Sequence, residues 1–136
     1  MTVAGAYPGH ISLELVSQLN DFTAHPDLVN VWLTNWERSA VTEYAPSIGL
    51  NGTDWVVLEG LENDASWDWW KLAVLRHFLG DQPAEPFIWI DDDIGSHPSA
   101  LEWIDSLAVK PLIVIPKTGR GITRADMALM RAFGGR

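Results

Sequence analysis

Cysteine is absent from the 136 residues, so disulfide bonds and cysteine-ligated zinc are excluded. Basic residues are scarce: nine Lys and Arg stand against eighteen Asp and Glu, which gives a formal net charge of −9. Affinity for nucleic acid comes mostly from cationic neutralisation of phosphates. The charge balance therefore argues against broad binding to a phosphate backbone and leaves room only for a small local basic site.

Long apolar stretches are also missing. No run approaches the roughly 20 residues that a membrane-spanning helix needs, and Met1 to Ala6 lack the basic and apolar regions of a secretion signal. We therefore expect a cytoplasmic protein without membrane association. The chain is 47% hydrophobic with eight tryptophans, which predicts one domain over residues 1–136 with a substantial core. Most tryptophans should pack this core, and those that flank polar motifs are candidates to line a pocket.

The most informative stretch is Phe87-Ile88-Trp89-Ile90-Asp91-Asp92-Asp93. Four large apolar residues in a row are typical of a strand buried on both faces, as in a parallel sheet covered by helices. Three adjacent carboxylates repel one another and favour a divalent cation or a lysine as neighbour. A helix N-cap with a solvated acidic turn is the alternative interpretation.

Apolar runs and helical patterns alternate along the whole chain. This alternation predicts an α/β fold: a three-layer, Rossmann-like arrangement with a mainly parallel sheet. Expected strands are 2–7, 29–33, 55–58, 87–90 and 112–115, and expected helices are 12–25, 37–48, 67–79, 98–107 and 123–133. Ser12, Ser66 and Thr123 are the predicted N-caps, the last with Asp126 in a capping box.

Polar residues stand where such a sheet binds its ligands, at the carboxyl ends of the strands. Thr34 follows one buried strand, and Asp91 and Asp92 follow another. Lys71 lies near the start of a helix, where the helix dipole disfavours a cation, so it needs another reason to be there. Each has a plain alternative: Thr34 as an N-cap, Lys71 as an exposed lysine, and Asp93 as a cap of the next turn.

Taken together, these polar residues and the segments around them resemble motifs two, three and four of the haloacid dehalogenase-like (HAD) superfamily. The resembling segments are 31–37, Trp70-Lys71 and 88–93, and the likeness is greatest to small HAD domains of actinobacteria and their phages, including those in RNA-repair contexts. The resemblance also takes in a late T-G-x-T-like segment, Thr118 to Thr123. It implies that Thr34 binds a phosphoryl group, that Lys71 steadies its charge, and that Asp91 and Asp92 hold Mg²⁺.

The first motif of that superfamily, D-x-D-G, is missing. No aspartate precedes Asp21, which falls in a predicted helix. Either Thr2-Val3-Ala4-Gly5 occupies the first strand, with Thr2 and Ala4 in place of the two acids, or the first strand is absent; we favour absence. In both cases the nucleophile is lost, and with one magnesium ligand fewer the metal should bind weakly.

Three functions stay open on this basis. The first is an inactive binding or regulatory module that retains the phosphate and Mg²⁺ site. The resemblance implies that such a module is phage-encoded. The second is a truncated Mg²⁺-dependent phosphatase, acting on phosphomonoesters or nucleic-acid ends, whose D-x-D-G lies upstream of Met1. The third is a structural or host-interaction protein with a protein partner. A missing central strand would also leave a gap that a second copy fills by strand exchange, so we expect a homodimer.

Overall fold

A computed structural model describes residues 1–6, 13–34, 43, 46, 49–60, 69–117 and 121–135. Its centre is a sheet of five parallel strands in the order β3-β2-β1-β4-β5. The strands are β1 (Thr2–Gly5), β2 (Val29–Trp32), β3 (Val56–Val57), β4 (Phe87–Ile90) and β5 (Leu112–Val114). The α/β, Rossmann-like prediction is confirmed.

Two α-helices of the described residues cover each face of the sheet. One face packs against α1 (Leu13–Thr23) and α4 (Arg124–Gly134), and the other against α2 (Trp70–Leu79) and α3 (Pro98–Ser106). A 3-10 turn, Ile94–Ser96, joins β4 to α3. Among the described residues, no helix combines the length and apolar character needed to cross a membrane.

Alternate side chains of each strand enter opposite cores, as the two-residue period of a strand requires. Val3, Ile88 and Ile90 join the core beneath α1 and α4, while Ala4 and Trp89 join the core beneath α2 and α3. All four residues of β4 are buried, which agrees with the unbroken apolar run that predicted this strand.

The first strand is present and central, so the prediction that favoured its absence is wrong. β1 pairs with β2 on one side and β4 on the other over its whole length. Four small residues suffice because main-chain hydrogen bonds to two neighbours hold the strand. No gap remains between β2 and β4, and the expected strand-exchanged dimer loses the reason that led us to it.

The placement of the missing acids also needs correction. Thr2 pairs with Val29 and Phe87, at the ends of the strands where each begins, and so lies far from the carboxyl edge of the sheet. The residue that continues β1 past its carboxyl end is Ala6, whose backbone N–H donates to the carbonyl of Ile90 at 2.8 Å. Ala6, the first residue after β1, is therefore level with Asp91.

Most other predicted elements are confirmed with ends shifted by one to three residues. The predicted capping box of α4 is present: the Thr123 side chain accepts from the Asp126 amide, and the Asp126 carboxylate accepts from the Thr123 amide. The caps Ser12 and Ser66, residues 118–120 of the T-G-x-T-like segment, and the predicted helix over 37–48 apart from positions 43 and 46 lie outside the described residues.

Candidate functional site

Lys71 and Asp91 form a buried ion pair at the carboxyl edge of the sheet. The Lys71 Nζ donates to the Asp91 Oδ2 at 2.6 Å, and the two residues are only 3% and 0% exposed. Asp91 directly follows β4, whereas Lys71 is the second residue of α2, which crosses above that strand. A cation in the first turn of a helix is explained here by its carboxylate partner.

The second oxygen of Asp91 is also used. Its Oδ1 accepts from the Asp93 backbone N–H at 2.9 Å, which folds the three-aspartate turn back on itself. Burial raises the pKa of the Asp91 carboxyl above its ordinary value of 3.8, while Lys71 lowers it without cancelling the effect of burial. Asp91 is thus a desolvated acid whose charge depends on the adjacent lysine.

Asp91, Asp92 and Asp93 form the acidic cluster of this site. Each offers a carboxylate oxygen, and these oxygens lie within 4.8 Å of one another, from a buried position at Asp91 to an exposed one at Asp93. Carboxylate oxygens are the protein ligands that Mg²⁺ prefers, usually one or two per ion with waters completing the octahedron. The Asp93 side chain makes no capping hydrogen bond to the 3-10 turn, so it is not the predicted cap.

Aromatic rings form the wall behind the ion pair. Trp69 stacks on Trp89 with ring centroids 5.4 Å apart and on His97 at 4.0 Å with an interplanar angle of 4°. The Lys71 Nζ lies 5.8 Å from the centroid of the Trp69 ring. The Trp89 Nε1 is buried and finds no acceptor in the described part of the chain. The wall lowers the local polarity that the pair experiences and strengthens its attraction.

Thr34 lies at the same edge but on a different strand. It is buried, 7% exposed, and it stands two residues beyond β2, which is separated from β4 by β1. Two strand spacings of about 4.8 Å place it roughly 10 Å from the Asp91 backbone. The predicted residues therefore share one edge: Lys71, Asp91 and Asp92 form a compact group, and Thr34 stands across β1 from them.

The sheet order favours this edge as a place for a ligand. From β1 the chain goes to β2 and β3 on one side and then returns to β4 on the other, so the topology reverses between β1 and β4. Ligands of open parallel sheets bind outside the carboxyl ends of strands at such a reversal. The acidic cluster and Ala6 lie at this point.

Sequence reasoning found the charged residues and missed part of their surroundings. Trp69 and Trp89 belonged to the tryptophans expected near polar motifs, whereas nothing singled out His97. Its position six residues after Asp91, just before the proline that begins α3, was the available signal.

Comparison of the chain with protein-family models, with curated proteins and with solved structures gives no match.

Proposed function

We propose that the protein is a HAD-like binding module that engages a phosphorylated ligand through a divalent cation and does not hydrolyse it. Support comes from the register at the carboxyl edge. Ala6, the first residue after β1, lies level with Asp91, and an aspartyl-phosphate route needs a carboxylate there to attack phosphorus. Alanine has no nucleophilic atom, so binding and orientation are what the remaining groups can supply.

The state of Lys71 also supports binding without catalysis. In a phosphoryl-transfer site a lysine serves by facing the transferring phosphoryl group. Here its ammonium is committed to Asp91 at 2.6 Å in a position closed to solvent. The ion pair holds a fixed position and has almost no net charge, whereas Asp92 and Asp93 provide carboxylates that face outward.

Electrostatics assigns the cation a necessary part in this proposal. A phosphate group would meet three aspartates on a chain of net charge −9, and its approach is unfavourable unless positive charge intervenes. Asp92, with Asp91 or Asp93, would hold Mg²⁺, and the ion would supply that positive charge. Thr34, across β1, remains the hydroxyl proposed to donate to the phosphate.

The truncated-phosphatase alternative meets a structural difficulty. An upstream strand carrying D-x-D-G would have to take the place between β2 and β4, which Thr2–Gly5 already fills with hydrogen bonds on both sides. The interaction-protein alternative places no demand on Asp91 or Lys71. It is separated from our proposal by whether changes to these two residues affect function.

Magnesium-dependent hydrolysis tests the proposal directly. We expect no turnover of a generic aryl phosphate or of a 3′-phosphorylated oligonucleotide, because the Ala6 side chain has no atom that can be phosphorylated. Turnover that disappears in Lys71→Ala and Asp91→Ala would show an active enzyme and refute the proposal. Arg124→Gln, which alters only an exposed ion pair with Glu14, is the control for loss of a positive charge elsewhere.

A further inference from the structure

A second cleft lies at the opposite end of the molecule. It has a volume of about 350 Å³ and is lined by Asp21, Phe22, Ala24, His25 and Arg131. Helices α1 and α4 follow strands of a parallel sheet and run back, so both end at the amino edge. Asp21 and Phe22 belong to the last turn of α1, Ala24 and His25 follow its end, and Arg131 belongs to the last turn of α4. The cleft is thus separate from the Lys71–Asp91 site.

The two charged residues of the cleft face a shared space without neutralising each other. Arg131 is half-buried, and among the described residues its side chain has no hydrogen bond or ion pair. Asp21 is exposed on the neighbouring helix, and among the described residues no ion pair joins it to Arg131. A guanidinium that lines a cleft without a carboxylate partner can form charge-assisted hydrogen bonds to an anion there.

His25 adds a directed donor. Its Nδ1 accepts from the Asp27 backbone N–H at 3.2 Å and lies 3.7 Å from the Asp27 carboxylate, so the proton of the neutral ring is on Nε2. The Nε2 has no hydrogen-bond partner among the described residues, and His25 lines the cleft. Arg131 and His25 together offer the donors that a carboxylate requires.

The end of α1 favours the opposite charge. The last carbonyl groups of a helix carry partial negative charge, and Asp21 adds a full one, so this side of the cleft suits a cation. Phe22 and Ala24 contribute apolar surface between the two polar sides. A volume near the lower limit of ligand pockets suits a molecule the size of one amino acid.

We infer that this cleft binds a small zwitterion of the free amino-acid class. The carboxylate faces Arg131 and His25, and the ammonium faces Asp21 and the carboxyl end of α1. The inference does not rest on the proposed phosphate site, which lies at the other edge of the sheet.

Titration of the ¹⁵N-labelled full chain by NMR tests this assignment with three probes: L-leucine, acetate and isobutylammonium. We expect saturable shifts of the amides of residues 21–25 and of the Arg131 Nε–H with leucine, and at least about tenfold weaker binding of either singly charged probe. Arg131→Gln should weaken leucine and acetate. Asp21→Asn should weaken leucine and isobutylammonium while sparing acetate.

Controls keep a folding defect apart from a binding defect. Arg131→Lys retains the charge and should keep part of the affinity, and Arg124→Gln on the same helix should leave binding unchanged. Amide spectra of each variant report whether the fold persists. Equal affinity for acetate and leucine would reduce the cleft to an anion site, and no shift with leucine up to about 50 mM would show that there is no site; either result overturns the inference.

Discussion

The position of Lys71 in the sequence predicts that this lysine has a specific partner. A cation in the first turn of a helix opposes the helix dipole, so some partner had to account for it. The partner is Asp91, and the pair is closed to solvent. The sequence indicated both residues and the edge they share. It could not indicate the contact between them, because that depends on how α2 crosses β4.

Removing one partner of this ion pair should destabilise the fold more than removing both partners. Lys71→Met leaves a buried carboxylate unpaired and Asp91→Asn leaves a buried ammonium unpaired, and each should lower the free energy of unfolding by about 3–5 kcal/mol. The double variant should lose less than either single one, since no uncompensated charge remains. Urea denaturation measures all three. Arg124→Gln, in an exposed pair, should cost less than about 1 kcal/mol.

The pH dependence of stability should report the Asp91 carboxyl. Because its pKa in the fold is raised above 3.8, the folded state retains a proton that the unfolded chain releases, and stability falls as the pH rises through the interval between the two values. Lys71→Met removes the influence that lowers this pKa. The stability that it loses relative to wild type should therefore be greater at about pH 8 than at about pH 5.

The double variant Lys71→Met with Asp91→Asn has no carboxyl to titrate and provides the reference. A Lys71→Met deficit that stays constant across this range would assign the pH effect to other groups.

At the scale of elements, side-chain patterns predicted where strands and helices occur, and contacts between them set their ends. Trp55 to Leu58 was expected as one strand, but only Val56–Val57 pairs with β2. Trp55 instead packs on Trp32 with ring centroids 4.9 Å apart. Four small residues at the start of the chain gave a weak pattern, and only pairing with β2 and β4 makes them a central strand.

The turn before β3 depends on the absence of a side chain at Gly52. The Trp32 indole N–H donates to the Gly52 carbonyl at 2.7 Å, and a Cβ on Gly52 would meet the ring at 2.6 Å. Since Trp32 is fully buried and has no room to move, Gly52→Ala should destabilise the fold by about 1–3 kcal/mol. Urea denaturation against Gly60→Ala measures this effect.

Gly60→Ala is the matched control because its added Cβ would lie 3.7 Å from the Trp70 ring, an ordinary contact. Equal stability of the two variants would show that Trp32 does not hold this turn.

For the whole molecule, the alternation of apolar strands and helices was enough to predict a three-layer parallel fold. The order β3-β2-β1-β4-β5 was not predictable from patterning alone, because nothing local states which strands become neighbours. That order places Ala6 level with Asp91 at the carboxyl edge of the sheet. The chain supplies its own central strand, β1, so strand exchange with a second copy is not needed to complete the sheet.

The net charge of −9 disfavours the approach of a phosphorylated ligand to this molecule. In the proposed function, a phosphorylated ligand binds at this edge only together with a divalent cation, because the acidic cluster alone repels phosphate. Binding that follows Mg²⁺, together with an unchanged ligand, separates the proposed module both from an enzyme and from a protein that ignores this edge.

A ³¹P NMR spectrum of an aryl phosphate mixed with the protein and Mg²⁺ tests this claim most directly. We expect the phosphomonoester resonance to broaden when Mg²⁺ is added, to sharpen again in Asp92→Asn, and to persist without a growing signal of inorganic phosphate. An inorganic phosphate signal that Lys71→Ala and Asp91→Ala abolish would contradict the account, as would a resonance that Mg²⁺ and protein together leave unchanged.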